Sequence, residues 1–109
     1  MNIRFGRFGK NYYAQVFDFI RCSDVIVGDE IEQAAYLEIM YRLLGKMQNR
    51  LFSGFRNPNQ AIPFTLSASE AWAFRKLYYS HQWNSCTAVY IYPIIERIEK
   101  HVNIIYIKK

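Results

Sequence analysis

Residues 29–52 carry the feature that most restricts the fold of this chain. At about 100° per residue, Tyr36, Leu37, Met40, Leu43, Leu44, Met47 and Leu51 fall on one stripe. Glu38, Arg42, Lys46, Asn49 and Arg50 oppose it. A strand would scatter these residues over both faces, so the segment reads as a long amphipathic helix with one face to bury.

Three further segments share that period. In residues 11–21, Tyr12, Tyr13, Val16, Phe17, Phe19 and Ile20 lie on one side, opposite Asn11, Gln15, Asp18 and Arg21. Ser67-Ala68-Ser69-Glu70 fits a capping box, in which serine and glutamate satisfy backbone donors reciprocally at a helix start. Ala71, Phe74, Leu77 and Tyr78 follow as the inward side. Residues 85–102 contain Pro93, and two readings compete: a strand over 86–92 ended by the proline, or one kinked helix. Ala88, Ile91, Ile94, Ile95, Ile98 and Val102 keep one face across Pro93. The proline falls on the outer face with Arg97 and Lys100, which favours the kinked helix.

The expected fold is all-α: a compact bundle of about four helices, over roughly 10–22, 29–52, 67–81 and 85–102, with a kink at Pro93. Residues 53–64, "SGFRNPNQAIPF", read as a loop because Gly54, Asn57, Pro58, Asn59 and Pro63 disfavour regular structure. The C-terminal "NIIYIKK", residues 103–109, reads as a short strand or extended tail. The N-terminal arm repeats a triplet: Arg4-Phe5-Gly6, then Arg7-Phe8-Gly9, then Lys10. A period of three fits a polyproline-like track or a strand bulged at Gly6. Either puts both phenylalanines on one side and both arginines on the other. This leaves room for a small two-stranded pairing between the arm and the tail.

The chain has 109 residues, which suggests a single domain. It is 51% hydrophobic, too apolar for a disordered chain. No signal peptide or membrane-spanning run is read, so the expectation is a cytoplasmic protein with reduced thiols and no membrane partner. The net charge of +5 favours an acidic partner. Nine Tyr, eight Phe and two Trp are more rings than a four-helix core of this size needs, so some should be exposed.

Few patterns point to chemistry. Cys22, His81, Cys86 and His101 lack the paired close spacing of a structural zinc site, so neither metal nor cofactor is expected. No strained nucleophile turn or phosphate-cradling glycine loop occurs, so an enzyme using Cys22 or His81 ranks third. Glu96 and Glu99 read as solvated ion-pairing residues, with Glu96 in favourable order before Lys100.

Two cationic surfaces stand out. Trp72, Lys76 and Tyr79, with Arg75 beside them, lie away from the Phe74 and Leu77 stripe. A tryptophan beside cations suits a partner anchor or a stacked base, and equally a ring covered by the terminal segments. Arg42, Lys46 and Arg50 step along one helix face, and Arg56 continues them into the loop. The helix dipole explains cations at that end of a helix with an acidic start. The leading expectation is a non-enzymatic protein that binds a protein or nucleoprotein partner, or itself, through an aromatic and cationic surface. The richness in Ile, Asn, Lys, Tyr and Phe suits an accessory protein of a phage or mobile element. Direct DNA or RNA binding through Arg4, Arg7, Lys10, Arg42, Lys46, Arg50 and Arg56 is the alternative.

Overall fold

A computed structural model describes residues 2–57, 59–80 and 85–107, and for 85–88 and 103–107 the backbone alone. The elements run β1 (Asn2–Gly9), α1 (Lys10–Arg21), α2 (Glu30–Ser53), β2 (Ala61–Ser67), α3 (Ala68–Tyr79) and α4 (Ser85–Ile107). Four helices thus occur close to their expected places, but the fold is not all-α. β1 and β2 form a two-stranded antiparallel sheet, with Asn2 opposite Ser67 and Gly9 opposite Ala61.

The strand missing from the expectation is β2, which takes the end of the segment read as loop. Its proline disguised it. Pro63 pairs opposite Arg7, where the register shifts, and it points outward between half-buried Ile62 and buried Phe64. A proline is tolerated in a short exposed strand at such an irregularity. Phe64 and Leu66 then alternate inward against outward Pro63 and half-buried Thr65.

The Arg-Phe-Gly doublet adopts the bulged form. Register passes from Arg4 opposite Thr65 to Arg7 opposite Pro63, so Phe5 and Gly6 together face Phe64. Gly6 has φ +92°, a conformation that side chains with a Cβ rarely take. The extra residue restores the face that alternation would invert. Phe5 and Phe8 both reach the Phe64 ring, at centroid distances of 5.5 and 4.9 Å. Arg4 and Arg7 stay exposed.

The arm's partner is therefore β2 and not the C-terminal tail. Residues 103–107 continue α4 as helix, and Lys108 and Lys109 lie outside the described residues. Propagating a nucleated helix adds one backbone bond per residue. That outweighs the few tenths of a kcal/mol by which β-branched residues disfavour helix. Pro93 sits inside the same helix on its exposed face, so residues 86–92 are helical.

The stripes meet in one core. α1 contributes Tyr13, Val16, Phe19 and Ile20, and α2 contributes Tyr36, Met40, Leu43 and Met47. Ala71, Ala73, Phe74 and Leu77 come from α3, and Ile91, Ile94, Ile95 and Ile98 from α4. Ile3, Phe8, Phe64 and Leu66 close it from the sheet. Burying each large side chain contributes about 1.5–3 kcal/mol. The α1–α2 connection is clamped by polar groups of α2. The Tyr36 hydroxyl donates to the Ser23 carbonyl at 3.0 Å. The Gln33 amide accepts from Val27 N at 2.9 Å and donates to the Val25 carbonyl at 2.8 Å.

No loop separates β2 from α3. Ser67, the last strand residue, is also the helix cap. Its Oγ accepts from Glu70 N at 3.2 Å, and its own N donates to Glu70 Oε1 at 2.8 Å. The other carboxylate oxygen of Glu70 accepts from Lys46 Nζ of α2, also at 2.8 Å. Burial alone would raise the Glu70 pKa, but the bonds from Lys46 and from the Ser67 backbone outweigh it and hold the group below its usual 4.5.

Gly6 and Gly45 have equal room for a methyl group but differ in backbone conformation. A Cβ at Gly6 or at Gly45 of α2 would meet no atom within 4 Å. Backbone conformation alone therefore sets the sign of each change. Gly6→Ala should cost about 1–2 kcal/mol, and Gly45→Ala should stabilise by about 0.5–1 kcal/mol. Urea midpoints at constant slope will show shifts in opposite directions.

Acid acts on the fold through Glu70. The folded chain holds Glu70 ionised more firmly than the unfolded chain does. Its contribution is thus complete above the usual 4.5 and is lost as pH falls through the lower folded value. Glu70→Gln keeps the capping geometry but not the charge. It should cost about 1–2 kcal/mol at neutral pH, with the difference from the parent chain shrinking in unfolding curves taken at decreasing pH below 4.5.

Candidate functional site

α3 leaves one flank uncovered. With Ala71, Phe74 and Leu77 turned to the core, the helical period carries Trp72, Arg75, Lys76 and Tyr79 onto the side toward α4. α4 supplies Ile98, His101 and Val102 opposite, and Ile3 of β1 forms part of the floor. Together they line a groove of about 500 Å³. The four residues singled out as a partner anchor thus lie around one concavity. Trp72 packs partly against the core, whereas Tyr79 is 61% exposed.

The polar atoms of the groove are organised in pairs. The Lys76 ammonium lies 5.9 Å from the Trp72 ring centre, and the Arg75 guanidinium 5.7 Å from that of Tyr79. Both are within cation–π range. Glu99 of α4 reaches back across the groove, accepting a hydrogen bond from the Tyr79 hydroxyl and standing 3.8 Å from Arg75 Nε. The bond to Glu99, more than burial, raises the Tyr79 pKa above 10.0, so the phenol remains a neutral donor. Arg75 and Lys76 against Glu99 leave one net positive charge, on the Lys76 side. Glu99, Ile98, His101, Val102 and Ile3 were not tied to this site by the sequence. A helical period assigns residues to a face of their own element and cannot say which other element that face meets.

The proposed nucleic-acid cations are distributed differently. Arg42 pairs with Glu38 at 2.8 Å, and Lys46 with Glu70. Arg50 is half-buried and faces the buried hydroxyl of Tyr13. Burial raises the Tyr13 pKa, and the Arg50 charge draws it part of the way back. Arg56 is exposed in the loop after α2, where its backbone N donates to Gln60 Oε1 at 2.6 Å. Arg4 and Arg7 project from β1, and Lys10 opens α1, all three exposed. Arg97 of α4, read from the sequence as an outer-face residue and not among these cations, donates from Nε to the Arg4 carbonyl at 3.2 Å.

Of the Cys and His candidates, the side chains of Cys22 and His101 are described. Cys22 is exposed at the end of α1, its thiol 3.6 Å from the Asp18 carbonyl. His101 lines the groove. His81 and the Cys86 side chain lie outside the described residues. Among the described residues no three His, Cys, Asp or Glu side chains gather to hold a metal, and no helix is long and apolar enough to cross a membrane. The extra rings do reach the surface: Tyr41, Phe52, Tyr79 and Tyr92 are each more than half exposed.

The Glu99 bond can be read directly. Glu99→Gln should lower the Tyr79 pKa toward 10.0, because the carboxylate that favours the neutral phenol is gone. Ring-carbon NMR titration of specifically labelled tyrosine will report it, and an unmoved Tyr79 would contradict this pairing.

Comparison with protein-family models, with curated proteins and with solved structures finds no match to this chain.

Proposed function

We propose that this chain is a small non-enzymatic binding protein that docks an acidic protein partner in the groove between α3 and α4. One observation carries the reading. An indole, a phenol and two cations surround an apolar floor formed by Ile3, Ala71, Ile98 and Val102. Aromatic rings and arginine dominate binding energy at protein interfaces when they surround a desolvated pocket. A partner's aromatic or aliphatic side chain would fill the floor, and a flanking carboxylate would meet Lys76. Lys76 has no carboxylate partner among the described residues. A cytoplasmic setting, where an exposed thiol such as Cys22 stays reduced, suits this reading. So does an accessory role on a host nucleoprotein for a protein of a phage or mobile element.

The α2 stripe supports the alternative of direct nucleic-acid binding less well. Two of its three cations are already held by Glu38 and Glu70. A paired surface cation has less charge to offer a phosphate.

A displayed random-peptide library panned against the chain tests the groove. Enriched peptides should carry an aromatic or aliphatic anchor flanked by Asp or Glu. Trp72→Ala should weaken the best of them by about 2 kcal/mol, or roughly thirtyfold, and Lys76→Glu should weaken it severalfold. Tyr41→Ala, at an exposed tyrosine of α2, should leave it unchanged. Peptides that bind all three variants equally, or no enrichment at all, would defeat the proposal. A concentration-dependent dimer abolished by Trp72→Ala would instead identify the partner as a second copy.

A further inference from the structure

A second concavity, also about 500 Å³, lies between β1 and the middle of α4. Arg4, Phe5 and Gly6 form one wall, Pro93 and Arg97 the other, with Tyr12 beneath. We infer that this cleft binds single-stranded nucleic acid, with Arg4 and Arg97 on backbone phosphates and the cleft's ring wall against a base.

Four observations lead there. First, Arg4 and Arg97 have no carboxylate partner among the described residues, unlike Arg21, Arg42, Lys46, Arg75 and Lys100, which all do. The glutamate next to Arg97 in sequence, Glu96, is held by Lys100 at 3.1 Å. Second, Arg97 is positioned. Its Nε is bound to the Arg4 carbonyl at 3.2 Å, which leaves the two terminal NH₂ groups for a ligand. A guanidinium fork anchored in this way presents a bidentate face to phosphate.

Third, the bulge exposes bare backbone. A side chain on Gly6 would project into open space, so a chain laid in the cleft can approach the main chain there. Phe5 beside it is half-buried, with part of its ring turned to the cleft. Fourth, the positive charge is linear. Arg4 lines the cleft and Arg7 lies about 10 Å further along the strand, its Nη1 donating to the Ala61 carbonyl of β2 at 3.4 Å, and exposed Lys10 follows where α1 begins. A row of cations beside a ring-lined groove fits a polymer of phosphates better than a single anion. Such grooves track single strands, whose bases are available to stack. The site is separate from the α3–α4 groove, so the two proposals stand or fall apart.

The test is fluorescence anisotropy with a labelled thymidine 20-mer and a mixed-sequence duplex of equal length, from about 50 to 200 mM salt. The parent chain should bind the single strand more tightly than the duplex. Arg4→Gln and Arg97→Gln should each weaken it about fivefold or more and reduce the salt slope by roughly 0.7. Arg42→Gln, which removes the same charge from α2, and Trp72→Ala should each stay within about twofold. Thermal melts accompany each variant. If Arg97→Gln lowers the melting temperature, Arg4→Gln decides, since the Arg4 guanidinium supports nothing else among the described residues. Absent binding at the lowest salt, equal affinity for duplex, or an equal loss in Arg42→Gln would each overturn the assignment.

Discussion

The carboxylate of Glu70 joins three elements, and the position of the groove follows from it. Both of its oxygens are engaged, one by the Ser67 backbone where β2 ends and the other by Lys46 of α2. Because Ser67 ends the strand and caps the helix, no flexible residue stands between sheet and α3. The direction in which α3 leaves the sheet is therefore set by the cap geometry. Tyr79 lies nine residues beyond Glu70, about 13 Å along the axis, so a small tilt at the cap would move the whole aromatic flank. A partly buried carboxylate is costly without partners. Here its bonds outweigh burial, as its lowered pKa records. The same arrangement explains why Lys46 looked available in sequence and is engaged in the structure.

What could be read in the sequence was whatever a single element decides by itself. Tyr36, Met40, Leu43 and Met47 are buried as their spacing requires, and Ser67 and Glu70 form both bonds of the capping box. The face of Pro93 was legible because Ile91, Ile94, Ile95 and Ile98 mark the opposite one. The pairing of β1 was not. Antiparallel pairing across more than fifty residues depends on which partner's inward rings complete the core, and no local period reports that. Phe64 is the partner because it stacks on Phe8, meets Phe5 at a tilt and meets Tyr13 edge-on at 6.0 Å. The isoleucines of "NIIYIKK" suggested a strand, yet the helix running through residue 102 had a lower cost of continuing than of stopping.

The same division applies to the sites. Trp72, Lys76 and Tyr79 share a helical face, and the sequence alone placed them together. Glu38 and Arg42 stand in the favourable i,i+4 order, so the engagement of Arg42 was also within reach of the sequence. The contributions of Glu99, His101 and Val102 to the groove, and of Arg97 to the cleft, depend on where α4 docks. Docking is decided by the fit of its isoleucine stripe against β1, α1 and α3. The stripe that holds Val102 and the ion-pairing character of Glu99 were legible, but not which element they would meet.

β1 and α4 contribute to both concavities, through different residues. Along the strand, Ile3 turns inward toward the groove and Arg4, one residue on, turns to the other face and the cleft. Along α4, Pro93, Ile94 and Arg97 belong to the cleft, while Ile98, His101 and Val102 belong to the groove. The two concavities thus draw on different stretches of α4, and Phe5 and Phe8 of β1 line the cleft along with Arg4. The bulge at Gly6 comes after this divergence and brings Phe8 back to the core, which anchors the far end of the strand. Without it, simple alternation would place Phe8 outside and Arg7 against Phe64. An unpaired guanidinium would then be buried among rings, at a cost of several kcal/mol. The positive φ of one glycine is what allows the strand to carry cations on one face and a continuous row of rings on the other.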